Sequence, residues 1–220
     1  MTAAEAGAGA EAGRRGRTRL PAAQRRRTIM QATCALIAER GFWGLSLQDV
    51  ADRCGLTVPG LLHYVGSKAG LLIAVLEHRD VADAASLRAQ LGVGEGEVPD
   101  DWGQELPQGV DLRQLCAATV RRNAEQPEIV RLFAVLAAES LDPAHPAHGY
   151  FAVRQAKVVE SFAALAADLT GSPELLARQL VALMDGIQLQ WLRTPGETDL
   201  VAQWEEAATT LFGRFARERG

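Results

Sequence analysis

GLLHYVGSKAGLL, residues Gly60 to Leu72, decides the reading of this chain. An apolar pair, Leu61-Leu62, runs into His63 and Tyr64. The chain then breaks at Gly66-Ser67, and Lys68 precedes a second apolar run. Ser67 is a helix N-cap residue, and Gly66 ends what comes before it. The stretch is therefore the end of one helix and the start of another, with polar groups gathered at the junction.

Upstream, Ser46-Leu-Gln-Asp49 is a capping-box start. Leu47, Val50, Ala51 and Cys54 follow at helical spacing. Gly55-Leu56-Thr57 makes a tight turn with Thr57 as the next N-cap, and Pro59 falls in a first helical turn, where it is tolerated. A short helix, a three-residue turn and a second short helix from about Val58 to Val65 give a helix-turn-helix. In DNA-binding versions the second helix enters the major groove. Gly60 allows close backbone approach, and Thr57 offers a hydroxyl and a helix N-terminus to a phosphate. Lys68 stands in a first helical turn, where the helix dipole disfavours a cation; a nearby phosphate accounts for its placement.

Charge points the same way. From Arg14 to Gly70 there are ten Lys and Arg against three Asp and Glu; from Leu71 to Gly220 there are thirteen against twenty-two. A chain of net charge −4 thus carries a basic head on an acidic body, and a basic head calls for a polyanionic partner.

The rest reads as helix throughout. Ala and Leu dominate, aromatic residues are 5% of 220, and no stretch alternates as a strand does. A first helix is expected from Ala22 to Arg40 and a fourth from Ser67 to Leu91. Five more follow, to Glu125, Leu141, Leu169, Arg193 and Arg217. The expected class is all-α: a three-helix domain joined by the long fourth helix to a larger helical domain. Residues 1–18 read as a disordered basic arm, 19–66 as the helix-turn-helix domain and 67–220 as the larger helical domain. Leu91 to Gly109 has linker composition.

Three cysteines without C-x-x-C spacing argue for a reducing compartment, and no apolar run reaches the roughly 18 residues that span a bilayer. The expected location is the cytoplasm, with no membrane. Arg14-Arg15 lacks the apolar stretch of an export signal. His145-x-x-His148 lies in a Pro-rich break with no third ligand nearby, so no metal is expected. No catalytic constellation or phosphate-cradling loop stands out, so neither an enzyme nor a cofactor is expected.

Residues Arg25 to Glu77 resemble the DNA-binding domain of the TetR (tetracycline repressor) family of bacterial transcription regulators. The likeness runs through Arg27-Thr-Ile-Met-Gln-Ala32, Glu39-Arg-Gly-Phe42, Ser46-Leu-Gln-Asp-Val-Ala51 and Cys54-Gly-Leu-Thr57. It continues through Gly60-Leu-Leu-His-Tyr64, Ser67-Lys68 and Leu71-Leu72. The resemblance implies that Gln48, Thr57, Val58 and Gly60 contact an operator and that Lys68 binds phosphate. The family often has two aromatic residues before His and Phe; here the order is Leu62, His63, Tyr64, Val65, so the first phosphate contact is not expected, His63 is expected to supply the second, and Tyr64 stands with it among the DNA-binding residues. Val58 could read a base only by apolar contact, which leaves Gln48 as the adenine reader.

The resemblance also implies a homodimer on a palindromic double-stranded operator and a small-molecule effector that releases a repressor. Polar residues interrupting the apolar second half, with neighbouring aromatic residues, nominate Phe133, Gln155, Met184, Gln188 and Trp191 for the effector. The last two helices, paired with their copies as a four-helix bundle, nominate Leu176, Leu180, Leu183, Ile187, Trp204, Ala208 and Leu211 for the dimer interface. The rival reading is an α-helical carrier or enzyme with an incidental helix-turn-helix.

Overall fold

The computed structural model describes residues 21–92, 110–194 and 196–217. The expected arm, most of the expected linker and the last three residues lie outside the described residues. Among the described residues there are nine helices and no strand. They are α1 (Ala22–Arg40), α2 (Leu47–Cys54), α3 (Val58–Val65), α4 (Lys68–Gln90) and α5 (Leu112–Ala124), followed by α6 (Pro127–Glu139), α7 (His148–Ala166), α8 (Pro173–Arg193) and α9 (Leu200–Arg217). The all-α expectation holds, with boundaries within a few residues of those read from the caps. None of these helices is alone long and apolar enough to cross a membrane.

The caps explain the starts. Ser46 Oγ accepts from Asp49 N at 3.0 Å while Ser46 N donates to Asp49 Oδ2 at 3.3 Å, so the capping box closes both ways. Thr57 Oγ1 accepts from Gly60 N, Ser67 Oγ from Gly70 N and Asp111 Oδ1 from Gln114 N. Ser172, at the N-cap of α8, makes no such side-chain bond; Pro173 in the first turn starts that helix. Gly70 admits no other residue without a shift, because a Cβ there would meet Val65 O at 2.6 Å.

Two apolar cores form. The first gathers Ile29, Leu36 and Ile37 of α1, Val50 of α2, Leu61 of α3 and Leu71, Leu72, Val75 and Leu76 of α4. It also takes in Leu132 and Leu136 of α6. The second is built from Leu87, Leu115, Phe162, Leu180, Trp204 and Phe215 on α4, α5, α7, α8 and α9. The helix-turn-helix core therefore does not stop at residue 66. It runs through the first half of α4 and against α6, and α4 is shared between the two cores.

Candidate nucleic-acid interface

Leu61 is fully buried, and it turns α3 so that Pro59 and His63 face outward. Thr57 is exposed at the N-terminus of α3, and Gly60, half-buried, leaves its backbone approachable. A Cβ at Gly60 would come within 3.1 Å of the capping Thr57 Oγ1, so the cap itself restricts this position to a small residue. Gly55 has φ 62°, the left-handed conformation that closes the turn between α2 and α3. The outward surface is thus the first turn of α3, where Thr57 already caps the Gly60 amide and Pro59 has none, so a hydroxyl and an imidazole are the groups it offers to phosphate.

The remaining nominated residues separate. Gln48 is exposed on α2, and its Nε2 donates to Asp52 Oδ1 at 2.7 Å, one turn along. Val58 and Tyr64 are half-buried and pack against the first core; the Tyr64 ring meets His63 edge-on, with centroids 5.7 Å apart. Their side chains thus also have a packing role. Lys68 is half-buried, its Nζ 4.5 Å from the centroid of the Phe42 ring. Burial lowers its pKa, and Glu139 pulls it back up. The ring, and not only a prospective phosphate, accounts for a cation in the first turn of α4.

Sequence reasoning missed what braces this surface. Glu139, at the end of α6, accepts from Phe42 N at 2.8 Å, across 97 residues. His145 is buried beside it, its ring edge-on to Phe42 and Trp43 at 5.0 and 5.5 Å. His148 pairs through Nδ1 with Ser140 O at 2.8 Å, so both histidines of the Pro-rich break are in structural use.

A second missed feature is a chain of buried polar groups through the body. Asp83 of α4 is 3% exposed and takes Arg79 Nη2 at 2.8 Å, with Arg122 Nη2 at 3.6 Å. Burial raises the carboxyl's pKa; Arg122 and then Arg79 pull it down. Arg122 Nη2 donates to Asn123 Oδ1, and Asn123 Nδ2 donates to Gln188 Oε1 at 2.6 Å. Beside this chain, Tyr150 donates to Asp80, which also receives Arg154 Nε at 3.3 Å. The sequence marks Asn123 and Gln188 as polar interruptions of apolar stretches, but nothing local pairs them.

Of the residues nominated for an effector, Met184, Gln188 and Trp191 lie on the inner face of α8. Phe133 packs against Phe151 and beneath the Arg154 guanidinium. Gln155 is corrected: it is exposed, in a surface groove with Ala152, Glu160, Glu174 and Arg178 that contains none of the other four. The inward face of α7 runs through Val159 and Phe162 instead.

The nominated dimer residues need a larger correction. Leu176, Leu180, Ile187, Trp204 and Ala208 are all 9% exposed or less within the single chain. They are committed to its own second core and offer no surface to a copy. Leu183 and Leu211 are half-buried. The outward stripe of α8 is Leu175, Ala182 and Leu189, seven residues apart, with the two leucines 47% and 44% exposed.

Burial disfavours the thiolate form of all three cysteines. Burial raises the Cys34 pKa to about 11 and the Cys116 pKa to about 12, so both stay thiols at neutral pH.

Comparison with known proteins joins this geometry to a lineage. Residues 29–75 match the family model for bacterial regulatory proteins of the tetR family. The HTH-type transcriptional activator FasR of Mycolicibacterium smegmatis is 36% identical over 65 residues, which are 30% of this chain and 30% of that protein. In fold, a TetR-like transcriptional regulator from Rhodococcus sp. RHA1 superposes with a TM-score of 0.68 at 19% identity, over 89% of this chain and 97% of that one. NalD of Pseudomonas aeruginosa, the secondary repressor of the MexAB-OprM multidrug efflux pump, gives 0.65 at 20% identity, over 90% and 98%. Residues 29–75 of this chain are thus similar to the tetR-family model, and the described helices together have the fold of the solved TetR-like regulators.

Proposed function

We propose that the chain is a DNA-binding transcriptional regulator, acting in the cytoplasm as a homodimeric repressor that a small-molecule effector releases from a palindromic operator. The observation that carries this reading is the outward face of α3, an approachable helix N-terminus seated on a fully buried Leu61 and belonging to a family-matched domain. Gln48, Thr57, Gly60, His63 and Lys68 would make the DNA contacts, with the Val58 and Tyr64 side chains pressed between core and groove. Two copies related by a two-fold axis would present their recognition helices to half-sites about 34–36 Å apart. The exposed leucine stripe of α8 supports pairing of that helix with its copy. Gln188, half-buried with apolar Met184 and Trp191 on its face, supports an effector contact in the body, with Phe133 a further wall.

The test is titration of the full chain against DNA flanking its own gene and against random DNA, at salt from 50 to 200 mM. Operator binding should be tight and fall steeply with salt, by about a thousandfold if six phosphates are neutralised. Weak, salt-insensitive binding to every DNA would sink the reading.

A further inference from the structure

A cleft of about 930 Å³ opens between the N-terminal half of α1, the middle of α4 and the start of α7. It lies at the seam of the two halves of the molecule, and none of the residues nominated for DNA, effector or dimer lines it. Its volume falls within the range of small-molecule sites, roughly 300–1,000 Å³. Its lining has two chemistries. Met30, Tyr150, Val81 and Val153 give it an apolar floor, and the two valines are 38% and 54% exposed. Large apolar side chains left this open beside a cleft favour an apolar occupant. The rim is cationic: Arg26, Arg27, Arg154 and Lys157 against Glu77 and Asp80. Asp80 is engaged by Tyr150 and Arg154. Arg26 and Arg27 form no ion pair among the described residues and are exposed. Arg26 and Arg27 belong to the basic head, whereas Arg154 and Lys157 are cations of the acidic body brought to the same rim.

We infer that this cleft is a binding site for a small organic anion with an apolar body, a carboxylate on an aliphatic or aromatic frame. The frame lies on Val81, Val153 and Met30, and the anion is held by Arg26 and Arg27 of α1. Arginine suits this role because its planar fork meets a carboxylate with two hydrogen bonds. The residues before α1 are a poor occupant: Arg14, Arg15, Arg17 and Arg19 repeat the charge of the rim. A ligand in the cleft touches α1 on one side and α7 on the other, so it ties the helix-turn-helix to the body.

The experiment uses the full chain, decanoate as probe and no DNA, so its outcome is independent of the DNA-binding reading. Calorimetry should show decanoate binding at one site per chain, with decan-1-ol at least about tenfold weaker because it lacks the charge. The surface variant Arg26→Glu/Arg27→Glu should lose about tenfold or more for decanoate while keeping its thermal midpoint. Val153→Asn, also at an exposed position and without a charge, should weaken decanoate and decanol alike. A diazirine analogue of decanoate should crosslink to peptides of α1, α4 or the start of α7. Crosslinks confined to the second core, equal binding of decanol and decanoate, or unchanged affinity in the double arginine variant would each overturn the site. So would a failure of decanoate to bind.

Discussion

Lys68→Ala separates two roles that the structure superimposes on one side chain. On stability, the variant loses the cation over the Phe42 ring, 4.5 Å from its centroid and worth about 0.5–1 kcal/mol. It also loses an unfavourable cation in the first turn of α4, a relief of about 0.3–1 kcal/mol. The two nearly cancel, so the thermal midpoint should hold to within a few degrees. On DNA, the variant removes one phosphate contact that carries no base information. The slope of log affinity against log salt should shrink by about 0.9, so that between 50 and 200 mM salt the variant loses about 3.5-fold less affinity than wild type. The loss should be the same on operator and on random DNA. Fluorescence anisotropy at four or five salt concentrations, with calorimetry on the free protein, measures both. A midpoint that falls steeply while the salt slope stays at the wild-type value would show Lys68 to be a pillar of the α1–α4 junction and not a phosphate ligand.

Gln48→Ala should cost about 1–3 kcal/mol on operator and little on random DNA, read by the same anisotropy titration. Asp52→Ala should tighten operator more than random DNA, since it releases the Gln48 amide from its 2.7 Å bond; equal tightening on both would mean that only the lost charge mattered. Leu189→Glu should leave folding intact and shift sedimentation toward monomer, whereas Ala208→Glu should unfold the chain, because Ala208 is buried in its own core. Burial among Phe42 and Trp43 lowers the His145 pKa from 6.5, with Glu139 and Asp142 pulling it back up. The unfolded chain then takes up the proton first, so stability from this contact is full above pH 6.5 and falls as pH drops below it. Thermal midpoints at pH 7.5 and 5.5 should diverge in wild type and converge in His145→Phe.

What was legible in the sequence was local. Ser46 with Asp49, Thr57 with Gly60 and Ser67 with Gly70 are each pairs three residues apart, so chain chemistry alone places the starts of α2, α3 and α4. The buried face of α2 followed from its period. What was illegible depends on contacts far apart in the chain. An apolar stripe on α8 reads the same whether it meets α7 and α9 of its own chain or α8 of a copy. Leu176, Leu180 and Ile187 proved to be core for that reason, and the stripe open to a partner is the weaker one through Leu175 and Leu189. Gln155 failed similarly, because an isolated polar residue in a helix does not announce which side of it faces inward. The Glu139–Phe42 bond and the Asp83 cluster join residues 97 and 39 positions apart, and no period or cap encodes them.

Those long-range contacts also bear on how the two halves communicate under the proposed function. Asp83 lies 15 residues along α4 from Lys68, about 22 Å at 1.5 Å per residue. A tilt of about 5° at Asp83 therefore displaces the start of α4 by about 2 Å. Base-edge hydrogen bonds tolerate a few tenths of an ångström, so such a tilt would disengage α3, which is joined to α4 by the two residues Gly66 and Ser67. The Asp83–Arg122–Asn123–Gln188 chain connects that pivot to the inner face of α8. Replacing Gln188 by Leu would leave Asn123 Nδ2 without its acceptor. Because Gln188 is also a proposed effector contact, the discriminating variant is Asn123→Ala, which breaks the same chain: it should change the release of DNA by effector without changing affinity for DNA or for effector alone, and an unchanged release would refute the polar chain as the route.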